Sequence, residues 1–311
     1  MKQTSPRIVI VGSFVMDLVF RAPRRPNRGE TLIGLEFGLF TGGKGHNQAV
    51  AAARMGAQVS MVGRLGTDIF GDMFLQSLAK EGIDARYVTR DAEAGTGVAS
   101  PVIYESEGDN SIILMPRANM GLSPADAEAA QAVIAAADAL MLQLEVPVET
   151  NIRAAEIARA NGTTVVFNPA PARPLPAEIF ALADVITPNQ VEAGQLAGVS
   201  TDDDAGARAA AARLREMGVA RVILTLGARG ALMVGPEGET EIPAYPVKVV
   251  DPTAAGDAFC SGLAVALARG MSPAEAVKYA NAAGAFAVTV MGAEPSMPTL
   301  AQVEAMLRGG A

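Results

Sequence analysis

Along this chain, short apolar runs rich in β-branched residues alternate with longer alanine-rich stretches of helical period. Residues 8–12 (IVIVG) and 59–63 (VSMVG) read as strands, and continuously apolar runs such as IVIVG and the VILTL of 222–226 predict a sheet covered on both faces. A helical pattern at 47–55 lies between the first two. The alternation continues through strands expected at 139–144, 163–167, 184–186 and 222–226. Helical patterns at 124–137, 149–160, 204–217 and 273–290 fill the gaps. Strands that recur with a helix between them imply parallel βαβ units with right-handed crossovers.

Two segments break this rhythm. Residues 31–40 and 96–114 alternate polar and apolar positions, the period of half-exposed antiparallel strands. A turn is expected at Glu107-Gly108-Asp109-Asn110. They predict a small β lid over the carboxyl edge of the main sheet, from about 13–42 and 95–118. Such a lid also offers edge strands through which a homodimer is expected to pair. With no internal repeat or linker, 1–311 reads as a single domain.

Composition narrows the function classes. The net charge of −8 gives no basic footprint for nucleic acid or an anionic membrane surface. No apolar run approaches the roughly 18 residues of a transmembrane helix, and the N-terminal one is too short for a secretory signal. A cytoplasmic location is the expectation. The one cysteine, Cys260, cannot form an internal disulfide, and with a single histidine, His46, it argues against zinc.

The most informative chemistry lies at 251–262. Small residues at 254–256 run directly into a helical pattern that starts at Asp257. A helix start presents unpaired N–H groups and the positive end of its dipole, and Ala254-Ala255-Gly256 lets a phosphate come close. Asp257 can take a proton from an attacking hydroxyl there, or it can simply cap the helix.

The segment Asp251-Pro252-Thr253-Ala254-Ala255-Gly256-Asp257-Ala258-Phe259 resembles the C-terminal signature of the ribokinase branch of the PfkB carbohydrate kinases. Gly42-Gly43-Lys44-Gly45-His46-Asn47-Gln48-Ala49 is similar to the N-terminal motif of that family, and Gln143-Leu144-Glu145 to its central one. Asn168-Pro169-Ala170-Pro171, Thr187-Pro188-Asn189-Gln190-Val191-Glu192 and Thr225-Leu226-Gly227-Ala228-Arg229-Gly230 follow in family order. The resemblance covers almost the whole chain. It implies a three-layer α/β/α sandwich with a mostly parallel central sheet and a small β-sheet lid. The implied activity is ATP-dependent phosphorylation of a sugar hydroxyl.

The resemblance also implies roles. Asp257 becomes the catalytic base, and the amides of Ala254, Ala255 and Gly256 the anion hole. Asp17, Gly42, Gly43, Lys44, Asn47 and Glu145 join Asp257 around the sugar. Carboxylates suit that task because each accepts two hydroxyl hydrogen bonds. Asn189, Thr225, Leu226, Gly227, Ala228, Arg229, Gly230, Gly256 and Asn281 fall to ATP. Glu192 falls to Mg²⁺ through water. Asp251, Thr253, Ala287, Val290, Gly292 and Ser296 fall to a monovalent cation such as K⁺. A capping box is the competing reading of Asn189 and Glu192, and helix packing that of His46.

Three further points limit the reading. Gly38 to Lys44 almost spells a P-loop, but the position after Lys44 is Gly45, which cannot hold Mg²⁺ as Ser or Thr does. A nicotinamide site would need G-x-G-x-x-G after the first strand, where this chain has Gly12-Ser13-Phe14-Val15-Met16-Asp17. In ribokinases an asparagine at the Val15 position contacts ribose. Valine makes no hydrogen bond, so 2-deoxyribose competes with ribose, and a nucleoside, fructose or 2-keto-3-deoxygluconate stays open. A non-catalytic sugar or nucleotide sensor is the alternative of another class.

Overall fold

The computed structural model describes residues 5–309. The first apolar run forms β1 (Arg7–Val11), whose side chains alternate between two cores. Ile8 and Ile10 enter one hydrophobic cluster, and Val9 and Val11 the other. Two-sided burial of this kind is why the strand reads as uninterrupted apolar residues.

The chain continues through β2 (Val15–Ala22), β3 (Glu36–Gly42), α1 (Lys44–Arg54), β4 (Gln58–Gly66), α2 (Ile69–Lys80) and β5 (Asp84–Asp91). A hairpin of β6 (Gly97–Tyr104) and β7 (Asp109–Met115) follows, then α3 (Pro124–Ala129) and α4 (Gln131–Ala135). Next come β8 (Ala139–Leu142), α5 (Val148–Ala160), β9 (Thr164–Phe167), α6 (Ala177–Leu182) and β10 (Val185–Ile186). They lead into α7 (Gln190–Ala197), α8 (Asp204–Glu216), β11 (Arg221–Thr225), β12 (Ala231–Gly235) and β13 (Gly238–Ile242). The last elements are α9 (Ala255–Ala268), α10 (Pro273–Ala287), α11 (Ala293–Ser296) and α12 (Leu300–Leu307).

The main sheet has the order β13-β12-β11-β10-β9-β8-β1-β4-β5. It is parallel except at one edge, where β11, β12 and β13 pair antiparallel. Helices α1, α2, α9, α10 and α12 bury one face, and α3 to α8 the other. The expected three layers are present. No helix among the described residues is long and apolar enough to cross a membrane.

The lid is a separate sheet of order β3-β2-β6-β7. Its outer pairs are antiparallel as expected, but β2 and β6 pair in parallel. Both continue from parallel strands of the main sheet, β2 from β1 and β6 from β5, so they rise in the same direction. The β6–β7 turn occupies 105–108, two residues before the expected place.

Several boundaries also differ. Residues 31–35 form no strand, and pairing with β2 is introduced by the Leu35 N–H to the Arg21 carbonyl (2.7 Å). The pattern at 124–137 is two short helices that meet at Ala130. Helix α10 stops at Ala287, where the Val288 carbonyl accepts the N–H groups of Val250 and Asp251 (2.7 and 3.1 Å). Helix α2 lacked a reading in the sequence. Asp68 caps it by accepting from the Gly71 N–H, and Phe74 and Leu78 are its buried face.

Candidate active site

The lid and the carboxyl edge of the main sheet enclose a cavity of about 570 Å³. Its walls bring together Asp17, Gly43, Lys44, Asn47, Glu145, Asp251, Thr253, Ala254, Asp257 and Gly292, which are far apart in sequence. Val15 lines it too.

Glycines shape one side. Gly43, at φ 88°, occupies the left-handed region and launches α1. A Cβ on Gly45 would lie 2.3 Å from the Ser13 amide nitrogen, so only glycine lets α1 approach the turn after β1. A Cβ on Gly42 would lie 2.6 Å from the Asp17 carboxylate, so this position makes room for that acid. Glu145 follows β8 at the positive end of α1. One of its oxygens accepts both the Ser13 hydroxyl (2.5 Å) and the Lys44 N–H (2.9 Å).

Asp257 does not cap its helix. The N-cap is Ala254, held at φ 59° and ψ 10°, a left-handed conformation that costs a non-glycine residue about 1–2 kcal/mol. The Asp257 carboxylate points across to α1, with Asn47 Nδ2 at 3.0 Å from one oxygen and Gln48 Nε2 at 3.1 Å from the other. Burial raises its pKa, while Lys44 and these two amides pull the other way. Lys44 sits among acids. Burial opposes its charge, yet Asp257, Glu145 and Glu192 hold its pKa above the ordinary lysine value. Asp17 is pushed up to about 7, first by burial and then by Glu145.

Of the expected anion-hole donors, the Ala255 N–H turns back to the Pro252 carbonyl at 3.4 Å. The amides of Gly256 and Asp257 lie in the first turn, where a helix supplies no partner of its own. A Cβ on Gly256 would meet nothing within 4 Å, so no protein atom crowds this exposed turn.

None of the nucleotide candidates Asn189, Thr225 and 226–230 lines this cavity. A single parallel bridge joins Asn189 to Thr225 at the ends of neighbouring strands. Asn189 and Glu192 form a full capping box on α7. One Glu192 oxygen is therefore committed to the Asn189 N–H (2.9 Å). Burial raises the Glu192 pKa, with Lys44 and that N–H opposing. In the turn after β11, the Leu226 N–H meets the Gly230 carbonyl (2.8 Å), and Gly227 is left-handed with free space around it. Ala228 lies between them in the same turn. Gly230 has a packing reason instead, since its Cβ would lie 2.1 Å from the Ile242 carbonyl. Arg229 pairs with Asp204.

The Asn281 amide is spent on structure. It donates to the carbonyls of Ile242 and Pro243 (3.1 and 3.0 Å) and ties α10 to the end of β13. Among the cation candidates, Asp251 accepts the amides of Thr253 (2.9 Å) and Gly292 (2.8 Å). The Ala287 carbonyl accepts the Val290 N–H, and the buried Ser296 hydroxyl donates to the Ala293 carbonyl. His46 is fully buried between Phe14 and Phe74, the packing role. Cys260 is also buried, which pushes its thiol up to about 12.

Gln48 and Gln143 had no assigned role in the sequence. Gln143 Nε2 donates to Gln48 Oε1 at 2.6 Å, and Asn151 Nδ2 holds the Gln143 carbonyl. The chain of amides thus fixes which way Gln48 faces Asp257. The available signal was a glutamine at the start of an apolar, alanine-rich helical stretch, because an amide buried there needs partners.

Comparison with known proteins agrees with this geometry. Residues 5–300 match the sequence model described as pfkB family carbohydrate kinase. The chain is 40% identical to the ribokinase of Haemophilus influenzae over 293 residues, covering 94% of this chain and 95% of that one. It is 36% identical to the deoxyribokinase of Salmonella typhi over 296 residues, covering 95% and 96%. The structure of Arabidopsis thaliana ribokinase complexed with ribose and ATP superposes with a TM-score of 0.91 at 32% identity, covering 98% and 99%.

Proposed function

The chain belongs to the pfkB family of carbohydrate kinases, and from that premise we propose that it moves the γ-phosphoryl group of ATP onto a hydroxyl of a pentose. Ribose, giving ribose 5-phosphate, is the first reading. The observation that carries it is Asp257, which faces the cavity from the first turn of a helix whose amides are open to an anion.

Asp257 accepts the hydroxyl proton as the sugar oxygen forms its bond to phosphorus and the bond to the β-phosphate oxygen breaks. The Gly256 and Asp257 amides and the positive end of α9 offset charge on the transferring group. Lys44 lines the cavity and is held in its charged form by Asp257, Glu145 and Glu192, which suits a cation at the sugar and its incoming phosphoryl group. Asp17, Asn47 and the free oxygen of Glu145 orient the sugar. Asn189, Thr225 and the 226–230 turn receive the nucleotide.

Mg²⁺ supplies charge neutralisation between phosphates. Glu192 fits such an ion through water, since one oxygen is bound and the other is free. Asp251, which holds Gly292 and Thr253 through their amides, is the anionic group that would favour a monovalent cation at this segment. A homodimer is proposed through the lid, whose outer face exposes Phe20, Phe37, Leu39, Ile113 and Met115. Sedimentation at micromolar protein tests it.

A second reading, 2-deoxyribose, rests on Val15. It lines the cavity and can satisfy no sugar hydroxyl. The deciding experiment is ATP consumption with ribose, 2-deoxyribose, fructose, 2-keto-3-deoxygluconate and nucleosides, with and without K⁺. Turnover with a pentose supports the reading; turnover with none of these acceptors overturns it.

A further inference from the structure

Outside the residues given a role above, one carboxylate gathers donors from three elements. Glu294 on α11 has a side chain only 13% exposed. It accepts the hydroxyl of Thr41, from the end of lid strand β3. It also accepts the hydroxyl of Ser77 on α2 at 3.2 Å. Arg54 of α1 lies 3.7 Å from it and donates to the Glu294 and Met297 carbonyls at 2.8 and 3.1 Å. The arrangement is directional. With the Ser77 proton aimed at Glu294, Ser77 can only accept from His46 (3.0 Å), which places the imidazole proton on Nε2 and leaves Nδ1 bare.

We propose that Glu294 is a positioning residue for the sugar end of the reaction, latching the root of the lid to the segment that carries the cavity wall and the anion turn. This rests on the kinase reading. Thr41 immediately precedes Gly42 and Gly43, and Gly292 and Ala293 immediately precede Glu294 and line the cavity. Gly292 in turn donates to Asp251, whose other oxygen accepts from Thr253, next to Ala254. The Thr41 hydroxyl bond is thus a side-chain tie from the lid to the same short segment that braces the turn before Asp257. Arg54, fixed by Glu81 through two bonds (2.8 and 3.1 Å), ties α11 to α1 independently of the lid through the Glu294 and Met297 carbonyls. Ser77 and Arg54 still face the Glu294 carboxylate when Thr41 alone is changed, so losing that one donor frees the lid root without stripping the acid of partners.

The test is Thr41→Val, which keeps the shape and removes the one donor, beside Glu294→Gln, which keeps an acceptor oxygen, and Glu294→Leu. Amide hydrogen exchange over 36–43 is measured first, because it needs no activity. In Thr41→Val it should rise about threefold or more, with the melting temperature held to within about 2 °C. The KM for the sugar accepted in the screen should rise about three- to tenfold, while the KM for ATP stays within about twofold. Glu294→Leu should reproduce this and Glu294→Gln should largely restore the parent values. Unchanged exchange and sugar KM in Thr41→Val would overturn the latch. So would equal losses in both KM values together with the melting temperature, which describe a general structural tie. If the parent protein phosphorylates no sugar, the kinase reading fails, and the exchange result still decides whether the latch exists.

Discussion

Asn47 Nδ2 lies 3.0 Å from Asp257 Oδ2, so a residue near the start of the first helix holds the acid at the start of the ninth, 210 positions later. The bond leaves Asp257 oriented before any substrate arrives. Asn47 thereby serves both sides of the chemistry, as a wall of the sugar cavity and as a restraint on the base.

Replacing Asp257 with Asn tests the base directly. Turnover should fall by about 10²- to 10⁴-fold while ATP binding by calorimetry persists. Each carboxylate oxygen accepts one amide, from Asn47 and from Gln48, so the NH2 of an asparagine would face one of those donors and the melting temperature should also fall. Retained turnover would remove Asp257 from its role.

The glycines separate ligand from fold. In Gly256→Ala the new Cβ meets no protein atom, so stability should hold while kcat/KM for ATP drops by about tenfold or more. Gly45→Ala drives a Cβ against Ser13 and should cost more than about 2 kcal/mol in urea unfolding. Equal stability losses in both would mean that the first turn of α9 is not open to a phosphate.

Val15→Asn adds a hydrogen-bonding group to an apolar part of the wall. The ratio of kcat/KM for ribose over 2-deoxyribose should rise by about five- to tenfold. No rise would show that the ring hydroxyls lie elsewhere in the cavity.

Asp17 gives a pH signature. Its folded pKa of about 7 lies above the ordinary 3.8, so the folded protein binds the extra proton between these values. This contribution to stability is present below pH 3.8 and is lost as pH rises through about 7. Asp17→Asn should therefore gain stability relative to the parent above pH 7 and lose that advantage near pH 4, read by thermal melts. The ionised acid is the better acceptor for hydroxyls, so the parent's sugar KM should fall from pH 6 to pH 8. In Asp17→Asn that slope should vanish.

Much of this was legible in the chain. Continuous apolar strands such as 8–11 announced a two-sided sheet, and the period-two segments announced the lid. Ala254-Ala255-Gly256 before a helical pattern marked an anion site, because close approach to a helix start needs small residues. Short-range rules also gave the capping box of Asn189 and Glu192.

What the sequence left open was settled by contacts between distant elements. Whether Asp257 capped its own helix or faced a cavity depended on α1, whose Asn47 and Gln48 amides reach it only once α1 and α9 pack side by side on one sheet face. The same holds for Asn281, whose amide is consumed by carbonyls after β13, and for the parallel pairing of β2 with β6. Local sequence therefore determined the elements and the types of chemistry they carry. Tertiary packing decided which groups are buried, paired or free, because the long-range contacts that set burial and pairing are absent from local propensity and spacing.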